Sequence, residues 1–188
     1  MSILDIRVLG DPILRQPTTP VPAMTESLRV LIADMFETMH HARGIGLAAP
    51  QVGRTERLTV VDVGDNPLVL INPEVVERAG RAKGEEGCLS IPDIYADVER
   101  AKTVTVRALD RDFKPFEIEA ADLLARCLQH EVDHLDGKLF LDYLSVLKRT
   151  AALAKWKLEA PKYPGYIRRV SLETPDDRRD HEHPEEEL

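Results

Sequence analysis

No stretch of this sequence approaches the ~18 uninterrupted apolar residues that a membrane span requires, and the opening MSILDIRVLG has neither the basic start nor the apolar run of a signal peptide. A cytoplasmic protein is expected. Cysteine is scarce as well: two in 188 residues exclude a disulfide framework, and in a reducing compartment each reads better as a buried thiol or a thiolate ligand. No internal repeat or low-complexity linker interrupts the chain before its acidic end. What is present, 43% hydrophobic and 31% charged residues, suffices for one core of ordinary size.

The formal charge of −8 is concentrated at one end. Residues 171–188, SLETPDDRRDHEHPEEEL, hold eight acids against two bases, a net −6 that leaves −2 for everything before them. So few apolar residues cannot repay the entropy of ordering. The expectation is a single domain over 1–170 and a disordered acidic tail over 171–188, with His181 and His183 read as solvated rather than metal-binding.

Leu28, Leu31, Ile32, Met35, Phe36 and Met39 recur at helical spacing behind Thr25, a suitable N-cap, and Gly44 stands where that helix should end. From about 57 to 119 the pattern changes to short β-rich runs, RLTVVDV, PLVLI, EVVER, KTVTVRAL and PFEIE, broken by Gly, Pro, Asp and Asn, which read as antiparallel strands. A second helix is predicted from about Ala121 to Leu135, closing at Asp136 and Gly137. A third spans about 144–158, before Pro161 and Pro164.

The second helix carries CLQHEVDHLDG. Residues four apart share a helix face, so the imidazoles of His130 and His134 can converge on one ion while Glu131 flanks them as a base. A polar helix surface can bring the same three residues together by chance, so the third ligand matters. The protease pattern HExxHxxGxxH fails, because Phe140 occupies the third histidine position. Glu159, on the later helix, is a second possibility and would make an HExxH peptidase. Cys127 lies seven residues before His134, about 10 Å along the axis, too far for metal bonds of ~2.0–2.3 Å, and reads as a small buried hydrophobe. Cys88 lies outside the helix in KGEEGCLSIP, where Gly84 and Gly87 permit close approach of the chain.

Three segments in order, GIGLAAPQ at 44–51, EGCLS at 86–90 and QHEVDHLDG at 129–137, resemble the three signatures of the bacterial peptide deformylases. The resemblance runs loosely from the first helix through KLFLDYL and leaves out the acidic tail. It implies an α+β fold, with antiparallel strands packed around a central metal-binding helix and helices towards both termini. It implies one divalent metal held by Cys88, His130 and His134, natively ferrous iron, although zinc, nickel or cobalt also suit such ligands. The implied activity is removal of the formyl group from nascent N-formylmethionyl polypeptides, with Glu131 as base and then acid. The oxyanion donors would be the amide of Gln51 and the backbone N–H of Leu89. The peptide would lie as an added strand along Gly44 to Gly46, with Ile45, Gly46, Glu86, Leu123 and Cys127 as substrate residues and Ile45, Leu123 and Cys127 forming the methionine pocket.

No membrane or direct nucleic-acid partner is expected, and the acidic tail counts against docking on the ribosome despite Lys148, Arg149, Lys155 and Lys157 on the third helix. A non-catalytic formyl-peptide-binding module, or a merely structural metal, is the rival outside enzymes. Arg126 has two readings: reaching solvent, or shaping the substrate entrance.

Overall fold

In the computed structural model residues 2–170 are described; the expectation for the 171–188 tail lies outside them. No helix among the described residues is long and apolar enough to cross a membrane. The chain begins with a two-residue strand, β1 (Ile6–Arg7), and then forms the first helix, α1 (Glu26–His41). The Thr25 hydroxyl caps α1 as expected, accepting the Leu28 N–H at 3.1 Å. Its end differs from expectation. The left-handed residue is Arg43 (φ +59°), and Gly44, whose N–H donates to Met39 C=O at 2.9 Å, lies close under Leu89: a Cβ there would stand 2.7 Å from Leu89 Cδ1 and shift that side chain.

Five antiparallel strands form the main sheet, in the order β2 (Gly46–Ala48), β3 (Leu58–Asp62), β4 (Pro67–Ala79), β7 (Thr103–Leu109), β8 (Pro115–Ala121). PLVLI and EVVER, predicted as separate strands, are one strand, β4, whose register against β7 shifts between Ile71 and Glu74. Asn72 sits at that shift with φ +52°, and its amide exchanges hydrogen bonds of 2.8 and 2.9 Å with the Val21 backbone. Between β4 and β7 the chain makes a second pair, β5 (Ala82–Cys88) with β6 (Ile91–Arg100). Neither strand announced itself in the sequence.

The main sheet lies between α1 and the second helix, α2 (Asp122–Leu135). Leu58 and Val60 of β3 join the cluster of Leu31, Ile32, Met35 and Met39, while Val61, one pleat out of phase, joins Ala125, Cys127 and Leu128. A strand covered on both faces reads as a nearly continuous apolar run, as LTVV does. Met35 and Met39 are completely buried, and each contributes about 1.5–3 kcal/mol of transfer free energy. The third helix, α3 (Val146–Glu159), stops before Pro161 as predicted. The chain ends its described part in β9 (Ile167–Arg168), which pairs with β1.

Candidate active site

On α2 the two histidines converge as their spacing requires: His130 Nε2 and His134 Nε2 are 3.2 Å apart, and Cys88 Sγ is 3.2 Å from His134 Nε2. These separations approach the ~3.3–3.7 Å edges of a tetrahedron whose metal bonds are ~2.0–2.3 Å. Cys88 arrives from the end of β5. Its pairing jumps from Glu86 opposite Ala96 to Cys88 opposite Ile91, leaving an excess of residues on β6, and such an irregularity re-aims a side chain. Among the described residues, Cys88, His130 and His134 are the group whose ligand atoms all lie within 4.8 Å of one another. Cys127 is elsewhere, its thiol donating to Ile45 C=O at 3.6 Å and pushed well up in pKa by burial, with Glu131 next in effect. Glu159 is on α3, paired with Lys162 at 2.5 Å.

The electrostatics suit a cation. Burial, together with His130, keeps His134 well below the ordinary histidine range and therefore neutral, as a ligand must be. For His130 burial also opposes charge, but Cys88 and Glu86 outweigh it and hold the pKa well up. The Cys88 and Glu86 groups that favour a proton on His130 favour a metal cation beside it in the same way.

Glu86 supports this centre from below. It borders the cleft, and its carboxylate is engaged on both oxygens: Oε2 accepts from His130 Nδ1 at 3.0 Å, Arg100 binds both oxygens at 2.9 and 3.0 Å, and Arg126 reaches Oε1 at 2.7 Å. Burial opposes ionisation there, yet Arg100 and His130 outweigh it and hold the carboxyl far below its usual range. Fixing Nδ1 leaves Nε2, 3.2 Å from His134 Nε2, as the nitrogen that would ligate a metal. Arg100 continues to Asp133, whose other oxygen accepts from Tyr143 Oη at 2.9 Å, and its guanidinium lies 4.4 Å from the Tyr143 ring centroid. Gln129 ties the same helix to the β6–β7 turn, exchanging hydrogen bonds of 3.1 and 3.0 Å with Ala101.

Glu131 stands on the same helix, 3% exposed, its Oε2 3.5 Å from the Thr59 hydroxyl. Burial foremost pushes its carboxyl up to about 7, a poise suited to taking and returning a proton near neutral pH. Gly46 is required by this proximity, since a Cβ would stand 2.8 Å from Glu131 Cδ and 2.9 Å from Cys127 Sγ. Gln51 is held by its carbonyl, which accepts the Ala48 N–H at 2.8 Å; the amide nitrogen therefore points at Ser90 Oγ (3.2 Å) and Cys88 Sγ (3.6 Å). Leu89 N–H has no backbone acceptor among the described residues.

Gly46, Gln51, Cys88, Leu89, His130 and Glu131 line a cleft of about 580 Å³, together with Ile45, Leu123, Cys127 and Arg126. Arg126 does not run out to solvent. Its guanidinium donates to Ala82 C=O (2.7 Å), Val98 C=O (2.9 Å) and Glu86, lying over Gly84, where a Cβ would be 3.1 Å from Nη2. It clamps the β5–β6 hairpin to α2 and borders the cleft, so the solvent reading of Arg126 does not hold. Thr59, Ser90, Arg100, Asp133 and Tyr143 escaped the sequence reading; Arg100, for one, meets Glu86 and Asp133 only across 14 and 33 residues.

The model of the polypeptide deformylase family matches residues 3–150. The peptide deformylase of Alkalilimnicola ehrlichii is 57% identical over 153 residues, covering 79% of this chain and 86% of that protein. That of Hydrogenovibrio crunogenus is 55% identical over 162 residues, covering 85% and 96%. Among solved structures, a peptide deformylase from Legionella pneumophila superposes with a TM-score of 0.82 at 51% identity, over 86% of this chain and 97% of that one. A peptide deformylase from Synechococcus elongatus in complex with actinonin gives 0.79 at 47% identity, over 82% and 86%.

Proposed function

The chain belongs to the polypeptide deformylase family, and we propose that Cys88, His130 and His134 hold its divalent metal, that Glu131 transfers the proton, and that Gln51 and Leu89 stabilise the oxyanion. The protein removes the N-formyl group from the N-terminal formyl-methionine of newly made proteins and releases formate. We assign residues 1–170 to one hydrolase domain and place it in the cytoplasm, where nascent chains are its partners. Ferrous iron is our choice of ion.

Cys88, His130 and His134 would hold the divalent ion, which when bound would supply Lewis-acid polarisation of the formyl carbonyl and a lowered pKa for water. Glu131 takes the water's proton and hands it to the departing amine, so no covalent intermediate is needed. Charge developing on the formyl oxygen is met by Gln51 Nε2 and Leu89 N–H, and one such donor is worth ~2.7–4 kcal/mol. β2 is an edge strand of the main sheet, so an extended peptide can pair along Gly44 to Gly46 and place its first side chain against Ile45, Leu123 and Cys127.

The observation that carries this reading is the Gln51 amide, aimed at Cys88 Sγ by the bond from Ala48. An HExxH peptidase that takes Glu159 as its third ligand has no use for Cys88 and Gln51 together. The three-ligand cluster is also one short of a closed structural site. The test is formate release from formyl-Met-Ala-Ser by anaerobically purified, iron-loaded protein, with the peptide bonds left intact and acetyl-Met-Ala-Ser untouched. Cleavage between Met and Ala, or binding without formate, overturns it.

A further inference from the structure

The turn that presents the Leu89 N–H is held from outside its own hairpin. Leu89 and Ser90 connect β5 to β6, and the carbonyls of both are occupied by the β1–β9 ribbon: Leu9 N–H donates to Ser90 C=O at 2.8 Å, and Arg168 Nη1 donates to Leu89 C=O at 3.1 Å. The ribbon is itself secured. Ile6 pairs with Arg168 and Arg7 with Ile167, Val8 N–H donates to Tyr166 C=O at 3.0 Å, and Trp156 Nε1 donates to Leu9 C=O at 3.1 Å. A side chain at Gly10 would collide with the Tyr166 ring, 2.7 Å from Cδ1.

Only two soft dihedrals relate the peptide plane carrying Leu89 N–H to the plane carrying Leu89 C=O. Tying the second plane, and the Ser90 carbonyl after it, restricts where the first can point. We propose that Arg168 is a positioning residue for deformylation: by holding Leu89 C=O it keeps Leu89 N–H directed at the formyl oxygen. The inference rests on the oxyanion role of Leu89 proposed above. Arg168 lies beyond residue 150, where the family match ends, and borders the same cleft as Leu89. A donor held in place in advance costs no reorganisation when the charge appears, which is the source of its catalytic value.

The test compares metal-replete wild type, Arg168→Ala, Arg168→Lys and Tyr163→Leu on formyl-Met-Ala-Ser. Tyr163 stacks on Trp156 at 5.8 Å between ring centroids, so its loss loosens the same segment without removing the bond to Leu89. Arg168→Ala is expected to lose on the order of 10-fold in kcat, part of the ~10²–10³-fold cost of deleting a whole oxyanion donor. Its KM and bound metal should be unchanged. Arg168→Lys, which keeps a donor, should recover most of the loss, and Tyr163→Leu should lower Tm but not kcat. A rise in KM alone would make Arg168 a substrate contact, and an equal kcat loss in Tyr163→Leu would make the effect one of general stability; either overturns the proposal, as does an unaltered Arg168→Ala. Absence of formate with the wild type would instead overturn the functional reading on which it rests.

Discussion

His130 Nδ1 and Glu86 Oε2 are 3.0 Å apart, and this contact joins the Cys88–His130–His134 cluster to a buried ion network in which Arg100 binds both oxygens of the same carboxylate. Removing Glu86 has two consequences. Glu86→Ala leaves Arg100, 6% exposed, without its principal partner, and breaking such a buried pair costs about 3–5 kcal/mol. It also frees the His130 ring, so metal affinity should fall about 10- to 100-fold. Thermal unfolding of the metal-free protein and a chelator competition read the two effects separately; unchanged metal affinity would mean that Glu86 does not orient the ligand.

The identity of the third ligand gives a second prediction. Cys88→Ala should lose the bound metal, while Cys127→Ala and Glu159→Ala keep a full equivalent, because Cys88 Sγ alone of the three lies with the imidazole nitrogens. Atomic absorption on the three purified variants checks it. Retention by Cys88→Ala with loss by Glu159→Ala would favour the peptidase.

How much of this was legible in the sequence follows from the range of the interactions. The helix face of His130, Glu131 and His134 is set by residues a turn apart, and Thr25 caps α1 through its near neighbour Leu28; such local physics shows in a single sequence. Gln51 and Leu89 come from the resemblance, whereas Cys88 stands out already by its flanking glycines. β5 did not show, since AKGEEGC has no β-branched residue to mark a strand and is extended because it pairs with β6 from Ala82 to Glu86. Arg100 and Asp133 are unremarkable until the fold brings them together, and the sequence neighbours of Glu86 give no sign of the two arginines that bind it.

Gly46 gives a third prediction. A methyl group there has no room beside Glu131 Cδ (2.8 Å) and Cys127 Sγ (2.9 Å). Gly46→Ala should therefore displace the general base, lowering formate turnover at least ~10-fold at a stability cost of about 1–3 kcal/mol for overpacking, with metal content unaltered. Normal turnover by Gly46→Ala would show that the carboxylate has freedom that its burial does not suggest.

The central claim, that Glu131 moves the proton while Cys88, His130 and His134 hold the metal, is tested most directly by formate turnover per bound metal ion in Glu131→Gln. The amide preserves shape and burial but cannot accept the proton, so metal content and Tm should stay near the wild type while turnover falls ~10²- to 10⁴-fold. Near-normal turnover with a full equivalent of metal would contradict the account.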